Sequence, residues 1–316
     1  MTINTLAYAT LFQQELDKQI VAGAVTGFME GNVSLVSYQG GNTVKVPKLS
    51  MSGLGNYDRD AGFKKGSATL EFETFVMGQD RATTFALDAM DVNETNFVAT
   101  ASNLMGEFQR TKVIPEVDAY RLSKIASLAI AKGGSCVSGG YTPAKADILS
   151  QIRSDIAGIQ DVIGVGIPLL IIMSVATLNV LENSAEIVKQ LTVGGLGAIQ
   201  SGTMTTGANI DLEVSKLDKC PIIEVPSALM KTAYVFADGS TEFGFTPAET
   251  AKNINWIIMA QDTAIAVCKT DTMRIFDPNI NQGANAWKLD YRKYHDLFIL
   301  DNKYPTLKVN IKEALV

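Results

Sequence analysis

Residues 94–133 read ETNFVATASNLMGEFQRTKVIPEVDAYRLSKIASLAIAKG, and the reading of this stretch decides the fold. Phe97, Ala101, Leu104 and Phe108, then Leu122, Ile125 and Ala129, recur at spacings of three and four, the period of one helix face. The pattern predicts a helix of about 38 residues from Glu94 to Gly133. At ~1.5 Å per residue it would run on the order of 55 Å, well beyond an ordinary globular helix. Pro115 falls in its middle, where it removes one backbone donor, so the helix is expected to kink or to split in two.

The segment upstream predicts a long β-hairpin. Thr43-Val-Lys-Val-Pro-Lys-Leu49 alternates apolar and polar, and so does Ala68-Thr-Leu-Glu-Phe-Glu-Thr-Phe-Val76. Between them lie about 17 residues rich in glycine, serine and charge, a length that in compact domains is usually functional or disordered. A two-stranded hairpin is marginally stable alone, so this one calls for a second surface, and a neighbouring copy of the chain is the simplest. Asp58, Arg59, Asp60, Lys64 and Lys65 bring both signs of charge to its tip, where they would fix the register of a contact more than add affinity. With Glu116 and Arg121 on the polar faces of the long helix, they are the candidate subunit-contact residues; a solubilising tip on a monomer is the alternative. Residues 1–40 are weakly patterned, with a short helix over Leu6–Ile20, and read as an arm that packs on something else.

Downstream, Thr142-Pro143 is expected to start a second helix, threonine capping and proline at its first position, with the stripe Ile148, Ile152, Ile156 and Ile159. Then come a buried strand over Pro168–Met173, a short helix around Thr177–Asn183 and an exposed loop over Gly194–Gly207. Strands follow over Cys220–Val225, Trp256–Ala260 and Ala264–Cys268, which together imply a compact α/β unit over about 143–270. Long strands over Trp287–Leu300 and Thr306–Ile311, joined by a turn at Asp301–Tyr304, are expected to return to the long helix and make its domain discontinuous.

Chemistry-bearing residues are sparse. His295 is the only histidine and sits inside a predicted strand, where a structural hydrogen bond is the simpler role. No serine stands in a Gly-x-Ser-x-Gly elbow, and one histidine with three scattered cysteines matches no zinc spacing. Asp58 with Asp60, and Asp88 with Asp91, do not follow a calcium-loop spacing; Gly194-Gly195-Leu196-Gly197 lacks the Gly-Lys-Ser/Thr ending of a phosphate loop. The chain reads as a building block and not an enzyme, with no cofactor and no metal. Cys136, Cys220 and Cys268 are expected to be buried, reduced thiols. A net charge of −6 argues against a dedicated nucleic-acid binder, though not against a wall around nucleic acid. The start lacks the basic and apolar regions of a secretory signal, and the most apolar run, Val162–Ala176, is too short and too interrupted to span a membrane.

The order of elements resembles the major capsid protein of tailed bacteriophages, the Hong Kong ninety-seven coat fold that encapsulins share. Val113-Ile-Pro-Glu-Val-Asp-Ala-Tyr-Arg-Leu-Ser-Lys124 resembles the spine helix of coat proteins from phages of low-GC Gram-positive hosts. Thr272-Met-Arg-Ile-Phe-Asp-Pro278 and Tyr291-Arg-Lys-Tyr-His-Asp-Leu-Phe298 resemble the same proteins. The resemblance implies an α+β chain with an N-terminal arm (1–40), an extended hairpin or E-loop (41–80), a peripheral domain with the spine helix (81–141 and 273–316) and an axial domain (142–272).

It further implies a virion capsid, assembled in the host cytoplasm as pentamers and hexamers, that closes into an icosahedral shell. The implied partners are the chain itself, a portal, a scaffolding protein and packaged double-stranded DNA held without sequence specificity, with no membrane. Some relatives carry a scaffolding segment of roughly a hundred residues before the arm; the short segment here favours a separate scaffolding protein over a cleaved one. Others lock their shells with a Lys–Asn isopeptide bond; Lys64 or Lys65 with Asn279 or Asn281 would be the pair here, but non-covalent contacts are the simpler expectation. An encapsulin-type nanocompartment is the main alternative, with an unrecognised enzyme and a tail-tube protein behind it.

Overall fold

The computed structural model describes residues 24–35, 43–57, 59–60, 62–88, 105–184, 214–240, 242–281, 283 and 285–315. Within them the chain is helical without a break from residue 105 to Lys132. A wide π turn, Gln109–Val113, leads into helix α1 (Ile114–Lys132), and the Ile114 N–H reaches back five residues to the Gln109 carbonyl. Pro115 stands at the start of α1. A proline ring normally collides with the carbonyl four residues back; the extra residue in the wide turn gives it room. The expected split therefore does not occur, and Phe108, Val113 and Ile114 all keep right-handed helical backbone. Phe97, Ala101 and Leu104 lie outside the described residues. α1 stops at Gly133, whose N–H bonds the Ala129 carbonyl; Gly133 and Gly134 have φ of +66° and +62°, a pair of conformations that glycine takes without strain.

The strands of the hairpin are β1 (Thr43–Met51) and β2 (Ala68–Val76), followed at once by β3 (Gln79–Asp88). After α1 come β4 (Val137–Gly139), α2 (Ile148–Ile163), β5 (Leu169–Ser174), α3 (Val175–Glu182), β6 (Lys216–Leu217) and β7 (Cys220–Val225). Then follow β8 (Tyr234–Phe236), β9 (Phe245–Pro247), β10 (Ile254–Ala260), β11 (Ala264–Phe276), β12 (Ala286–Ile299) and β13 (Leu307–Ile311). They form a six-stranded sheet in the order β4-β13-β10-β5-β7-β6, a three-stranded sheet β11-β12-β3, and two separate hairpins, β1-β2 and β8-β9.

The six-stranded sheet is covered on both faces, which is why β5 and β10 are buried along their whole length. Leu170, Ile172, Ile257 and Met259 meet Leu122, Ile125, Ala126 and Ala129 of α1. The alternate residues Ile171, Met173, Trp256 and Ile258 meet the isoleucine stripe of α2 and Leu178 and Leu181 of α3. The Trp256 indole N–H adds a 3.0 Å bond to Asp155 of α2. Toward its N-terminal end the long helix changes partner: Met105, Val113 and Val117 pack on Met273, Leu289 and Tyr291 of the three-stranded sheet. One helix thus cements two sheets.

One detail differs from the reading of the sequence. Helix α2 begins at Ile148, five residues after Pro143, because Tyr141 is held against β10 by the Asn255 amide (2.7 Å) and by the Trp256 ring. Residues 144–147 must then turn before the helix starts. The loop expected over Gly194–Gly207 lies outside the described residues.

Residues 24–35 lie across α1 and β11, with Met29 fully buried in the main core. Polar bonds hold this strap. Asp118 accepts from Val25 N (3.2 Å), Thr26 N (3.1 Å) and Thr26 Oγ1 (2.6 Å), while Arg121 donates to the Thr26 carbonyl (3.2 Å) and pairs with Glu30. Asn32 donates to the Gln261 and Ala264 carbonyls, both at 2.8 Å. Asp118→Ala strands three donors in a dry site, so it should cost about 2–5 kcal/mol in urea denaturation. A loss under about 1 kcal/mol would mean that water reaches the strap.

Candidate subunit-contact arm

The hairpin strands pair antiparallel from Thr43↔Val76 to Met51↔Ala68, a ladder on the order of 30 Å long at ~3.3 Å per residue. Alternation gives the arm two unlike faces. On one, Val44, Val46 and Phe75 pack on Ile265, Val267, Tyr294 and Phe298, with the Phe75 and Phe298 rings stacked at 4.9 Å. On the other, the distal cross-strand pairs Pro47–Phe72, Leu49–Leu70 and Met51–Ala68 are exposed throughout, with the polar pair Lys45–Thr74 separating them from Val76; Phe72 is 61% exposed. The distal face turned toward the body is the polar one, with Lys48 and Glu73. The arm therefore shows its own subunit salt bridges and shows solvent its hydrocarbon, the reverse of a strand pair finished within one subunit.

Two attachments fix the arm. At its foot, Met77 and Gly78 join β2 to β3. Tyr294 donates to the Met77 carbonyl at 2.9 Å, and the buried Asp296 carboxylate accepts from Gly78 N at 2.8 Å. The same carboxylate takes the Tyr120 hydroxyl (2.7 Å) and Leu297 N (2.7 Å), with Lys124 at 3.8 Å. Burial and Asp296 push the Tyr120 hydroxyl well above its ordinary pKa, so it stays a donor. Farther out, Lys48 bridges Glu73 (3.3 Å) and Asp301 (3.1 Å), and Asp301 meets Lys132 (3.4 Å) at the end of α1. Lys48 first and Lys132 second hold the Asp301 carboxyl below the usual carboxylate range. Such half-exposed pairs add little to stability.

His295 lies in β12 beside Asp296, 3% exposed, with the Tyr120 ring 5.4 Å away edge-on. Among the described residues its Nδ1 has no partner, so that nitrogen does not make the expected structural hydrogen bond. Burial, then the nearby Arg121, Lys293 and Arg81 charges, hold its pKa down at about 3. Lys293 itself is neutralised by Asp271 at 2.6 Å.

The candidate contact residues divide. Arg59, Asp60, Lys64 and Lys65 are exposed at the tip beside the Tyr57–Phe63 ring pair (5.1 Å, edge-on), whereas Asp58 lies outside the described residues. Glu116 and Arg121 are corrected to roles within the subunit. Glu116 takes Arg81 Nε at 2.7 Å, and Arg121 is 0% exposed beneath the strap, paired with Glu30, out of reach of any neighbour. The Asn279 and Asn281 side chains bond within their own loop, to Asp277 (2.8 Å) and to the Ala286 carbonyl (2.8 Å). Cys136 and Cys220 are buried free thiols, but Cys268 is exposed, lifted out by a bulge between Cys268 and Thr270. Among the described residues no three His, Cys, Asp or Glu side chains gather as metal ligands, and no helix is long and apolar enough to cross a membrane. Sequence reading missed the roles of Tyr294 and Asp296, whose only mark was the polar triplet Tyr294-His295-Asp296 in an otherwise apolar strand end, and that of Tyr120 on α1, which had none.

No family model matches the chain, and no curated protein matches it in sequence. Solved structures do match. The asymmetric unit of the bacteriophage PhiM1 mature capsid has a TM-score of 0.60 at 11% identity, covering 86% of this chain and 82% of that one. The capsid of cyanophage P-SCSP1u gives 0.59 at 9%, covering 87% and 84%, and that of Staphylococcus phage Andhra 0.53 at 10%, covering 89% and 83%. The fold is the phage major-capsid fold. At these identities the likeness lies in architecture and not in side chains, so the residues of this capsid-fold arm stand on their own geometry.

The histidine gives the capsid fold a measurable acid response. Unfolded, His295 titrates near 6.5; folded, near 3. Between these values the unfolded chain holds a proton that the folded chain does not. Stability is therefore full above pH 6.5 and falls by about 1.4 kcal/mol per pH unit below it. His295→Gln should flatten urea-derived stability of the unassembled subunit between pH 6.5 and about 5.5, above the range where carboxylates titrate. An unchanged slope would show that the imidazole is not buried neutral.

Proposed function

We propose that this chain is the major coat subunit of a tailed bacteriophage, building an icosahedral shell of pentamers and hexamers around double-stranded DNA. The observation that carries the reading is the arm: one face fixed to its own subunit, the other an exposed apolar stripe along the ladder. A second copy is the natural cover for such a face. The capsid fold shared with the phage structures supports the same assignment. In this reading residues 1–40 are the N-terminal arm, 41–80 the E-loop, 81–141 and 273–316 the peripheral domain, and 142–272 the axial domain. Asp58, Arg59, Asp60, Lys64 and Lys65 belong to its contacts between subunits.

The role is structural and not catalytic. A net charge of −6 suits a wall around DNA that must later leave, since a strongly basic lining would hold the phosphates. A separate scaffolding protein and a portal complete the proposed partners, the site of assembly is the host cytoplasm, and the finished location is the virion.

Negative-stain electron microscopy of the chain, alone and co-expressed with its neighbouring genes, tests the assignment. Closed shells or rings of five and six subunits are expected, with nucleic acid inside shells from infected cells; a packaged enzyme there would point to a nanocompartment. Phe72→Glu with Leu70→Glu should cut assembled particles at least about tenfold while leaving the unfolding midpoint of the free subunit unchanged, because both side chains are already in water. A monomer under every condition would overturn the proposal.

A further inference from the structure

Strands β8 and β9 form a small hairpin at the foot of the arm. Its inner side is an aromatic layer: Phe236 lies 5.6 Å from the Tyr120 ring and 6.1 Å from Phe245. Arg81, three residues after Gly78, clamps its turn by donating to the Ala237 and Gly244 carbonyls while paired with Glu116 of α1. The hairpin is thus a braced platform tied to the spine helix. Its outer side shows Val235 and Phe243, the latter 77% exposed. From Thr232 to Ala251 the chain carries Asp238, Glu242 and Glu249 and no base.

The tip of the arm has the opposite character. Tyr57 and Phe63 present an exposed aromatic pair, with Phe63 90% exposed, flanked by Arg59, Lys64 and Lys65. Counting Asp58 and Asp60, the tip is one charge positive; the platform's three acids, set against Lys231 and Lys252 at its base, leave it one negative, with Glu242 and Glu249 exposed. A tip cannot reach its own platform, because the ladder between them is on the order of 30 Å long and its foot is pinned by Asp296 and Tyr294.

We infer that the β8–β9 platform of one subunit receives the arm tip of a second copy, Phe63 against Phe243 and Lys64 and Lys65 against Glu242 and Glu249. The inference rests on the coat-subunit reading and says where the arm lands. A tip-on-foot contact joins two different patches, so repeated around an axis it generates a ring wherever the rotation closes. The arm of each subunit then braces the spine helix of the next through Arg81 and Glu116.

Paired charge reversal tests it in the full chain. Lys64→Glu with Lys65→Glu should lower assembled particles at least about tenfold, and Glu242→Lys with Glu249→Lys should do the same. All four together should restore assembly to near the parental level. Separately, Phe63→Cys with Phe243→Cys on a Cys268→Ser background should give ladders of cross-linked chains on mild oxidation. Phe63→Cys with Val165→Cys, placed on another exposed apolar loop, should not.

Quadruple reversal assembling no better than either double, or ladders from the Val165 pair instead of the Phe243 pair, overturns the inference. If the parental chain forms shells yet both tests fail, only the landing site is wrong. If it forms neither shells nor rings, the coat reading itself fails, and the cross-links still report whether tip meets foot.

Discussion

Asp296 is the constraint on which the geometry depends. A carboxylate buried in a core costs several kcal/mol unless its lone pairs are filled. Here they are filled from three directions: Gly78 N from the arm, the Tyr120 hydroxyl from the spine helix and Leu297 N from its own strand. Moving any one of the three away leaves a buried carboxylate one hydrogen bond short, with Lys124 at 3.8 Å as the nearby charge. The angle at which the arm leaves the body is therefore set by a desolvation penalty, which acts over a fraction of an ångström, and not by the soft hydrophobic contacts of Val44 and Val46.

That local constraint becomes a property of the whole subunit because the long helix is shared. Its N-terminal part packs on the sheet that contains β12 and its C-terminal part on the six-stranded sheet. Tyr120 and Arg121 sit between these halves, the first bonded to the foot of the arm and the second to the strap. A force on the arm is thus delivered to rigid, close-packed elements. Curvature of an assembled shell would follow from small rotations of these bodies about the arm contacts.

Much of this was legible, and the failures have physical causes. The isoleucine stripe of α2 and the spacing of Leu122, Ile125 and Ala129 could be read because each faces a single buried surface at helical period. The run ending at Met173 read as a buried strand because both faces of β5 are covered. Strand β3 escaped notice because its half-buried positions include Arg81 and Thr83 where an apolar alternation would show, and Arg81 is satisfied by Glu116 and by the Ala237 and Gly244 carbonyls, all far along the chain. Arg121 looked like a surface charge on a helix wheel; only the strap, 91 residues upstream at Glu30, turns that position into a buried ion pair. The arm was legible as a hairpin, but alternation alone cannot say which face meets the body. Tertiary partners decide that, and they placed the polar distal face inward.

The central claim is that the apolar face of the arm is completed by another subunit. A reconstruction of assembled particles by cryo-electron microscopy, at a resolution that shows side chains, tests it most directly. The account predicts that Leu49, Leu70 and Phe72 of every arm are covered by a neighbouring copy, with Gly78 still bonded to Asp296. Arms that lie free in solvent within closed shells, or that fold back to cover this stripe with their own chain, would contradict it.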